Sequence, residues 1–189
     1  MKGVQCKKAL WLQKFDRDKA TPIDANTQKL FDDGHAVGEL AQKLYPNGKG
    51  IPFNTQPYAR KFELTADYVK NGEHTIYEAT IQSSDMMCMV DILHKGENGW
   101  EVIEVKSSMS LKDEHIKDVG VQFHIAKEAG LPVTKAKLIH INPDYIRQEY
   151  LNLDEYFVSH DITEAVLAEE DTILRLKKEL NAVNKFQFP

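Results

Sequence analysis

Two short runs of this 189-residue chain set charged side chains among apolar ones: Met87-Cys88-Met89-Val90-Asp91-Ile92-Leu93 and Trp100-Glu101-Val102-Ile103-Glu104-Val105-Lys106. Both have the composition of β-strands, and Lys95-Gly96-Glu97-Asn98-Gly99 between them supplies the glycines and asparagine that a tight hairpin loop needs. If the loop turns between Glu97 and Asn98, Leu93 faces Val102, Ile92 faces Ile103, and Asp91 faces Glu104. Facing residues on paired strands lie about 4.5–5.5 Å apart at Cβ, where like charges destabilise a sheet. Side chains alternate along a strand, so Lys106 shares the face of Glu104, while Val90, Ile92, Ile103 and Val105 are expected on the opposite, apolar side. One ammonium offsets the repulsion in part. A divalent cation, which takes hard oxygen ligands, offsets it more completely. The bland alternative is a solvated face on a half-exposed hairpin. The strongly apolar flanks favour charges embedded in a covered sheet.

The elements that must position these residues follow from periodicity. Thr27 to Tyr45 repeats Leu30, Phe31, Gly34, Val37, Gly38, Ala41 and Leu44 at helical spacing before Pro46-Asn47-Gly48 stops the pattern. Pro46 to Pro57 reads as a loop, and Tyr58 to Lys70 as a second helix closed by Asn71-Gly72. Thr75 to Ile81 adds a third strand, completing an antiparallel meander. Asp113 to Ala129 is a helix with Ile116, Val119, Gly120, Phe123 and Ala126 on one face, acids in its first turn, and Gly130 just beyond its end. Ala136 to Ile141 is the next strand, and a right-handed crossover places it parallel to the hairpin's second strand. Leu151 to Asp161 reads as loop, and Thr163 to about Asn184 as one long helix. The expected fold is one α/β domain spanning 1–189, with a core over about 27–145. It is a small mixed β-sheet, an antiparallel meander plus a parallel strand, flanked by helices.

Composition bounds the partners. Lys and Arg number 24 against 29 Asp and Glu, a net charge of −5, which excludes a whole-surface basic coat for nucleic acid. No apolar run approaches the roughly 18 residues of a spanning helix, and Met1 to Gln5 leads into charged residues with no secretion-type core. A cytoplasmic protein with no membrane partner is expected. Two cysteines, Cys6 and Cys88, build neither a disulfide framework nor a four-thiolate site. Cys88, on a core strand, reads as a small buried hydrophobe.

The sequence Val90-Asp91, then Glu104-Val105-Lys106, then Gln122 on the next helix resembles the PD-(D/E)xK nuclease superfamily with its restriction-endonuclease-like core. More narrowly, it resembles the RecB-like exonuclease group, which includes CRISPR-associated iron–sulfur members. The phrases Gly34-His35-Ala36-Val37-Gly38-Glu39-Leu40-Ala41, Glu104-Val105-Lys106-Ser107-Ser108 and Ile139-His140-Ile141-Asn142 add to the likeness, which runs from Cys6 to about Tyr145. The resemblance implies a Mg²⁺- or Mn²⁺-dependent deoxyribonuclease. Asp91, Glu104 and the backbone carbonyl of Val105 would bind the metal, Lys106 would orient or activate the attacking water, and Gln122 would contact the substrate or nucleophile. With no base-reading motif visible, action on DNA from ends is expected.

The chain also departs from that group. Its members often place a metal-binding His four residues after a glycine on the first helix. Counted from Gly34, that position is Gly38, which leaves His35 either a relocated ligand or a helix-surface residue paired with Glu39. Ala126 stands where a tyrosine often follows Gln122, and Val90 replaces the proline before Asp91. Cys6 resembles the first cysteine of the iron–sulfur members, whose other three ligands lie beyond the nuclease core. A [4Fe–4S] cluster is therefore expected only in a longer protein. Two other classes remain: an inactive nucleic-acid-binding or assembly module with the same fold, and an α/β partner-binding domain with an incidental acidic face.

Overall fold

In the computed structural model, which describes residues 6–19, 21–52, 55–84 and 86–183, the hairpin lies at the centre of a six-stranded mixed sheet. Strands β1 (Lys49–Gly50), β2 (Thr75–Gln82), β3 (Met87–Lys95), β4 (Trp100–Lys106), β5 (Val133–Ile141) and β6 (Phe157–Asp161) are neighbours in that order. The β2–β3–β4 meander is antiparallel, β5 runs parallel to β4, and β1 runs parallel to β2. The hairpin register is the expected one, with Leu93 opposite Val102 and Ile92 opposite Ile103. Gly96 N–H bonds Gly99 C=O across the turn at 2.9 Å. Gly99 has φ +153°, and a Cβ there would fall 2.2 Å from the Pro132 carbonyl oxygen, so no other residue closes this turn without displacing β5.

Helices cover both faces. Helix α1 (Lys7–Phe15) lies against the last C-terminal helix, with Lys7 Nζ donating to Glu179 at 2.6 Å; one face of the sheet is covered by α2 (Ala25–Gln42), which starts at Asp24, whose carboxylate accepts the Thr27 N–H at 2.7 Å. The other face carries α3 (Tyr58–Lys70), α4 (Asp113–Glu128) and two C-terminal helices, α6 (Thr163–Ala168) and α7 (Glu170–Val183), after a single turn, α5 (Leu153–Tyr156). One apolar cluster joins Ile76, Leu93, Val102 and Leu138 of the sheet to Val119, Phe123, Val166 and Ile173. The second, smaller cluster joins Ile92, Ile103, Ile139 and Phe157 to Ala41, with Val37 and Leu40 packed against it. The site is thereby framed between α2 and α4.

Several expectations are corrected. β1 and β6 fall in stretches read as loop: β1 has only two residues, and β6 is a half-exposed edge strand containing Ser159, His160 and Asp161. The long C-terminal helix is two helices, because the backbone leaves helical geometry at Glu169 (φ −97°, ψ 12°), although its N–H still bonds the Ala165 carbonyl. Glu170 and Asp171 there begin α7, where acids complement a helix N-terminus better than they serve a helix middle. Its expected last residue, Asn184, and Met1 to Gln5 lie outside the described residues. Val90 packs with Leu93 in the larger cluster rather than with Ile92. Residues three apart share a side only if alternation is broken between them, and it is broken at Asp91. Among the described residues no helix is long and apolar enough to cross a membrane.

Candidate active site

The same break occurs on the neighbouring strand. Ile76 and Ala79, three apart, belong to one cluster, and between them Glu78 has φ +56°, a left-handed conformation costing a non-glycine residue about 1 kcal/mol or more. The flanking pairs Tyr77–Ile92 and Ala79–Val90 set Glu78 opposite Asp91, and Ile92–Ile103 sets Asp91 opposite Glu104. Ladder pairing lapses at this row in both directions. Three carboxylates on three adjacent strands therefore line one cleft of about 660 Å³ together with Lys106, Val105 and Ser107, and with Gly34, His35, Gly38, Glu39 and Gln42 of α2. Asp91 and Glu104 come together as the hairpin register requires. Glu78 was not singled out by sequence; its signal was a lone carboxylate in an otherwise uncharged strand, and only the β2–β3 register reveals its neighbour.

Hydrogen bonds fix each group. The Val105 N–H donates to Asp91 Oδ2 at 2.7 Å, so the aspartate takes over a backbone donor that the lapsed ladder leaves over. Lys106 Nζ donates to Glu104 Oε1 at 2.5 Å and to Asp118 Oδ2 at 3.0 Å. Gln122 Nε2 donates to Glu104 Oε2 at 2.7 Å. Asp118 and Gln122 are four apart on α4, hence on one helix face, and both are buried. The helix thus clamps the two ends of the Glu104–Lys106 pair, and Asp118 is the second group that sequence reading had not assigned a role. His35 lines the cleft and exerts an attractive charge effect on Glu78.

Electrostatically the cleft is short of positive charge. Burial holds the Asp91 carboxyl well above the usual carboxylate range, and the Glu104 charge beside it adds to this; the Val105 N–H bond opposes, and Glu78 adds again. Glu104 and Glu78 are raised as well, both chiefly by burial. Burial alone would depress Lys106, but Glu104 and Asp118 override it and hold the ammonium charged. The Cys88 thiol, buried below, is pushed up to about 12 by burial and by Glu104, so it is no thiolate ligand.

Among the described residues no group of three His, Cys, Asp or Glu side chains is arranged as a ready cation cage. The donor chemistry nonetheless suits a hard divalent ion: Asp91 and Glu104 oxygens with a main-chain carbonyl make an all-oxygen set in which only two donors are side chains. The Lys106 ammonium already marks the place where Glu104 accepts positive charge. A cluster does not fit. Cys6 is exposed before α1 and is not part of the cleft, and Cys88 is buried in β3.

Two predictions arise here. Glu78→Gly relieves the left-handed strain and removes a half-buried like charge, which together outweigh the extra freedom that glycine gives the unfolded chain, so thermal unfolding shifts upward by the equivalent of about 1 kcal/mol, while any activity of the cleft falls. An unchanged melting temperature means that Glu78 is not strained. Gly34 and Gly38 sit mid-helix at ordinary φ, and a Cβ on either would meet nothing within 4 Å. Each forgoes about 1 kcal/mol of helix stability relative to alanine, with no packing reason among the described residues. Gly34→Ala should accordingly raise the melting temperature.

No protein-family model matches the sequence, and no curated protein matches it. Among solved structures, an alkaline exonuclease (LHK-Exo) from Laribacter hongkongensis is 16% identical, covering 87% of this chain and 85% of its own, with a TM-score of 0.38. SSO0001 is 17% identical, covering 92% of this chain and 84% of its own, with a TM-score of 0.32. Both TM-scores are below 0.5, so the functional reading rests on the cleft itself.

Proposed function

We propose that the chain is a metal-dependent nuclease that hydrolyses DNA phosphodiester bonds from strand ends. In this reading it uses a restriction-endonuclease-like core of the PD-(D/E)xK, RecB-like kind. The observation that carries the reading is the row Glu78–Asp91–Glu104 in one cleft, with Lys106 bonded to Glu104 and Gln122 fixing the other Glu104 oxygen. Mg²⁺ or Mn²⁺ would be held by Asp91, Glu104 and the Val105 carbonyl, with Glu78 and His35 at the margin of the same cleft. When bound, such an ion screens the phosphodiester's charge, acidifies the attacking water and stabilises the transition state.

The chain's own residues supply the rest. Gln122 and Asp118 hold Glu104 and Lys106 in fixed positions before substrate arrives, so the geometry needs no rearrangement at the moment of reaction. Lys106 stays an ammonium at neutral pH, because Glu104 and Asp118 hold its proton on. Its role is therefore to orient water and offset developing negative charge rather than to abstract a proton. With a net charge of −5, affinity for DNA rests on the cleft and a few lysines such as Lys112 and Lys117. A shallow salt dependence follows, and a steep one from many phosphate contacts contradicts it.

The test is incubation of end-labelled linear DNA and covalently closed circular DNA with Mn²⁺, Mg²⁺ or EDTA. Loss of the linear DNA from its ends, with the circle intact and EDTA abolishing the reaction, supports the proposal. Nicking of the circle replaces end-directed action by internal cleavage. Absence of any metal-dependent cleavage favours the inactive binding module.

A further inference from the structure

One pair of imidazoles lies apart from the cleft. His140 of β5 and His160 of β6 are diagonal neighbours on an antiparallel ladder, in which Leu138 faces His160 and His140 faces Val158. Both lie on the side of the larger apolar cluster, because His140 alternates with Ile139 of the smaller cluster and shares the face of Leu138. Their Nε2 atoms are 3.0 Å apart and their ring centroids 5.0 Å apart. His140 is buried, and His160 is half-buried on the strand at the sheet's edge. Neither lines the cleft.

The protons on the pair follow from its partners. His140 Nδ1 lies 2.8 Å from the Ile141 carbonyl oxygen, which only accepts, so Nδ1 carries the hydrogen and the neutral ring presents a lone pair at Nε2. His160 Nε2–H donates to it. Burial, and then the neighbouring His140, hold the His160 pKa below its ordinary value, so this ring is uncharged at neutral pH.

Such a pair is one step from a chelate. A histidine that ligates a metal commonly donates its other ring N–H to a backbone carbonyl, which fixes the tautomer and the ring orientation. His140 already makes that bond. On a tetrahedral ion with metal–nitrogen bonds of about 2.0–2.1 Å, two ligating nitrogens stand about 3.3 Å apart, so the rings need to separate by only a few tenths of an ångström. The hydrogen of His160 passes from Nε2 to Nδ1 through solvent, and the neutral pair releases no net proton. Lys106, opposite His140 on β4, is turned toward Glu104 and Asp118, which balance its charge.

We propose that His140 and His160 form a second metal site, which takes Zn²⁺ through their two Nε2 atoms and ties the edge strand β6 to β5. Imidazole suits Zn²⁺, whereas the carboxylates and carbonyl of the cleft suit Mg²⁺ or Mn²⁺, so donor chemistry sorts the ions between the two places. Among the described residues no third His, Cys, Asp or Glu side chain completes the shell. Water fills it, as at an open zinc site.

The experiment titrates Zn²⁺ into the full chain by calorimetry, with excess Mg²⁺ present to occupy oxygen donors and with Cys6→Ser removing the exposed thiol. One Zn²⁺ per chain is expected. His160→Ala, with circular dichroism confirming its fold, should weaken binding at least about tenfold, the least that even an outer partner of a ligand contributes. Zn²⁺ should raise the melting temperature of the parent and not of His160→Ala. In ¹H–¹⁵N spectra of the imidazoles, Zn²⁺ should shift the nitrogens of His140 and His160 and leave the other five histidines in place. Absence of Zn²⁺ binding overturns the proposal and leaves the pair a structural hydrogen bond. Unchanged affinity in His160→Ala, or shifts confined to other histidines, overturns it too. Binding lost in Asp91→Asn instead would put the ion in the cleft and also overturn it. The site does not rest on the nuclease reading: Zn²⁺ binding that depends on His160 in a protein that cleaves no DNA would retain the site and discard the catalysis.

Discussion

Asp91→Asn is expected to give a protein that unfolds at a higher temperature than wild type in EDTA and cleaves DNA at least about a thousandfold more slowly. Asparagine has the shape of aspartate, and its carbonyl oxygen can still accept the Val105 N–H that Asp91 Oδ2 accepts at 2.7 Å. What the substitution removes is a charge packed between Glu78 and Glu104. Relief of such a half-buried like-charge contact contributes about 1.4 kcal/mol for each pKa unit relieved. The pH dependence has a definite sign. A carboxyl whose folded pKa lies above its unfolded value adds stability below the unfolded pKa, about 4, and loses that contribution as pH rises through the folded value. The advantage of Asp91→Asn therefore opens as pH rises toward neutrality and closes in acid. Thermal scans in EDTA across that range check it, and a variant less stable than wild type at neutral pH would show that the row is already compensated.

Lys106→Ala carries the second large effect. It should lower kcat by about 10²–10⁴-fold with little change in the affinity for DNA measured under Ca²⁺, because the ammonium acts on the reacting water and not on the strand. It should also destabilise the fold, since Glu104 and Asp118 then lose their shared cation. Breaking a fully buried pair costs about 3–5 kcal/mol. The Lys106 side chain is 25% exposed, so about 2 kcal/mol is the fitting figure. Adding Asp118→Ala should recover part of the stability without recovering activity, because one of the two carboxylates that shared the ammonium has gone while the ammonium is still missing. If the double variant is no more stable than Lys106→Ala, Asp118 is not a partner of Lys106 in solution.

The hairpin was legible because its loop length and composition fix the register, and the register brings Asp91 and Glu104 together whatever the surroundings. Helix α4 was legible from its period and its glycine terminator, and with it the placement of Gln122. Glu78 was not, because its importance comes from a break in alternation on β2 and β3 that no periodic pattern can announce. Val90 changed sides for the same reason. β1 and β6 escaped because a two-residue strand has no period and an edge strand has no uniform apolar face. The split at Glu169 was hidden inside a continuous helical pattern, where only the acidic run marked a second helix start. His35 illustrates the middle case: the structure sets it in the wall of the cleft, while sequence alone left its two readings, a relocated ligand or a helix-surface residue, balanced.

The central claim is that the carboxylate row takes up a divalent cation to complete a phosphodiesterase site. Its most direct test is calorimetric titration of Mn²⁺ into wild type and into the Asp91→Asn/Glu104→Gln double variant, with circular dichroism confirming that the variant is folded, since Glu104→Gln removes one of the two carboxylates paired with Lys106. The account predicts saturable binding by wild type that is lost in the double variant. No binding by wild type, or equal binding by both proteins, would contradict it and leave Asp91 and Glu104 as a buried acidic row without a catalytic ion.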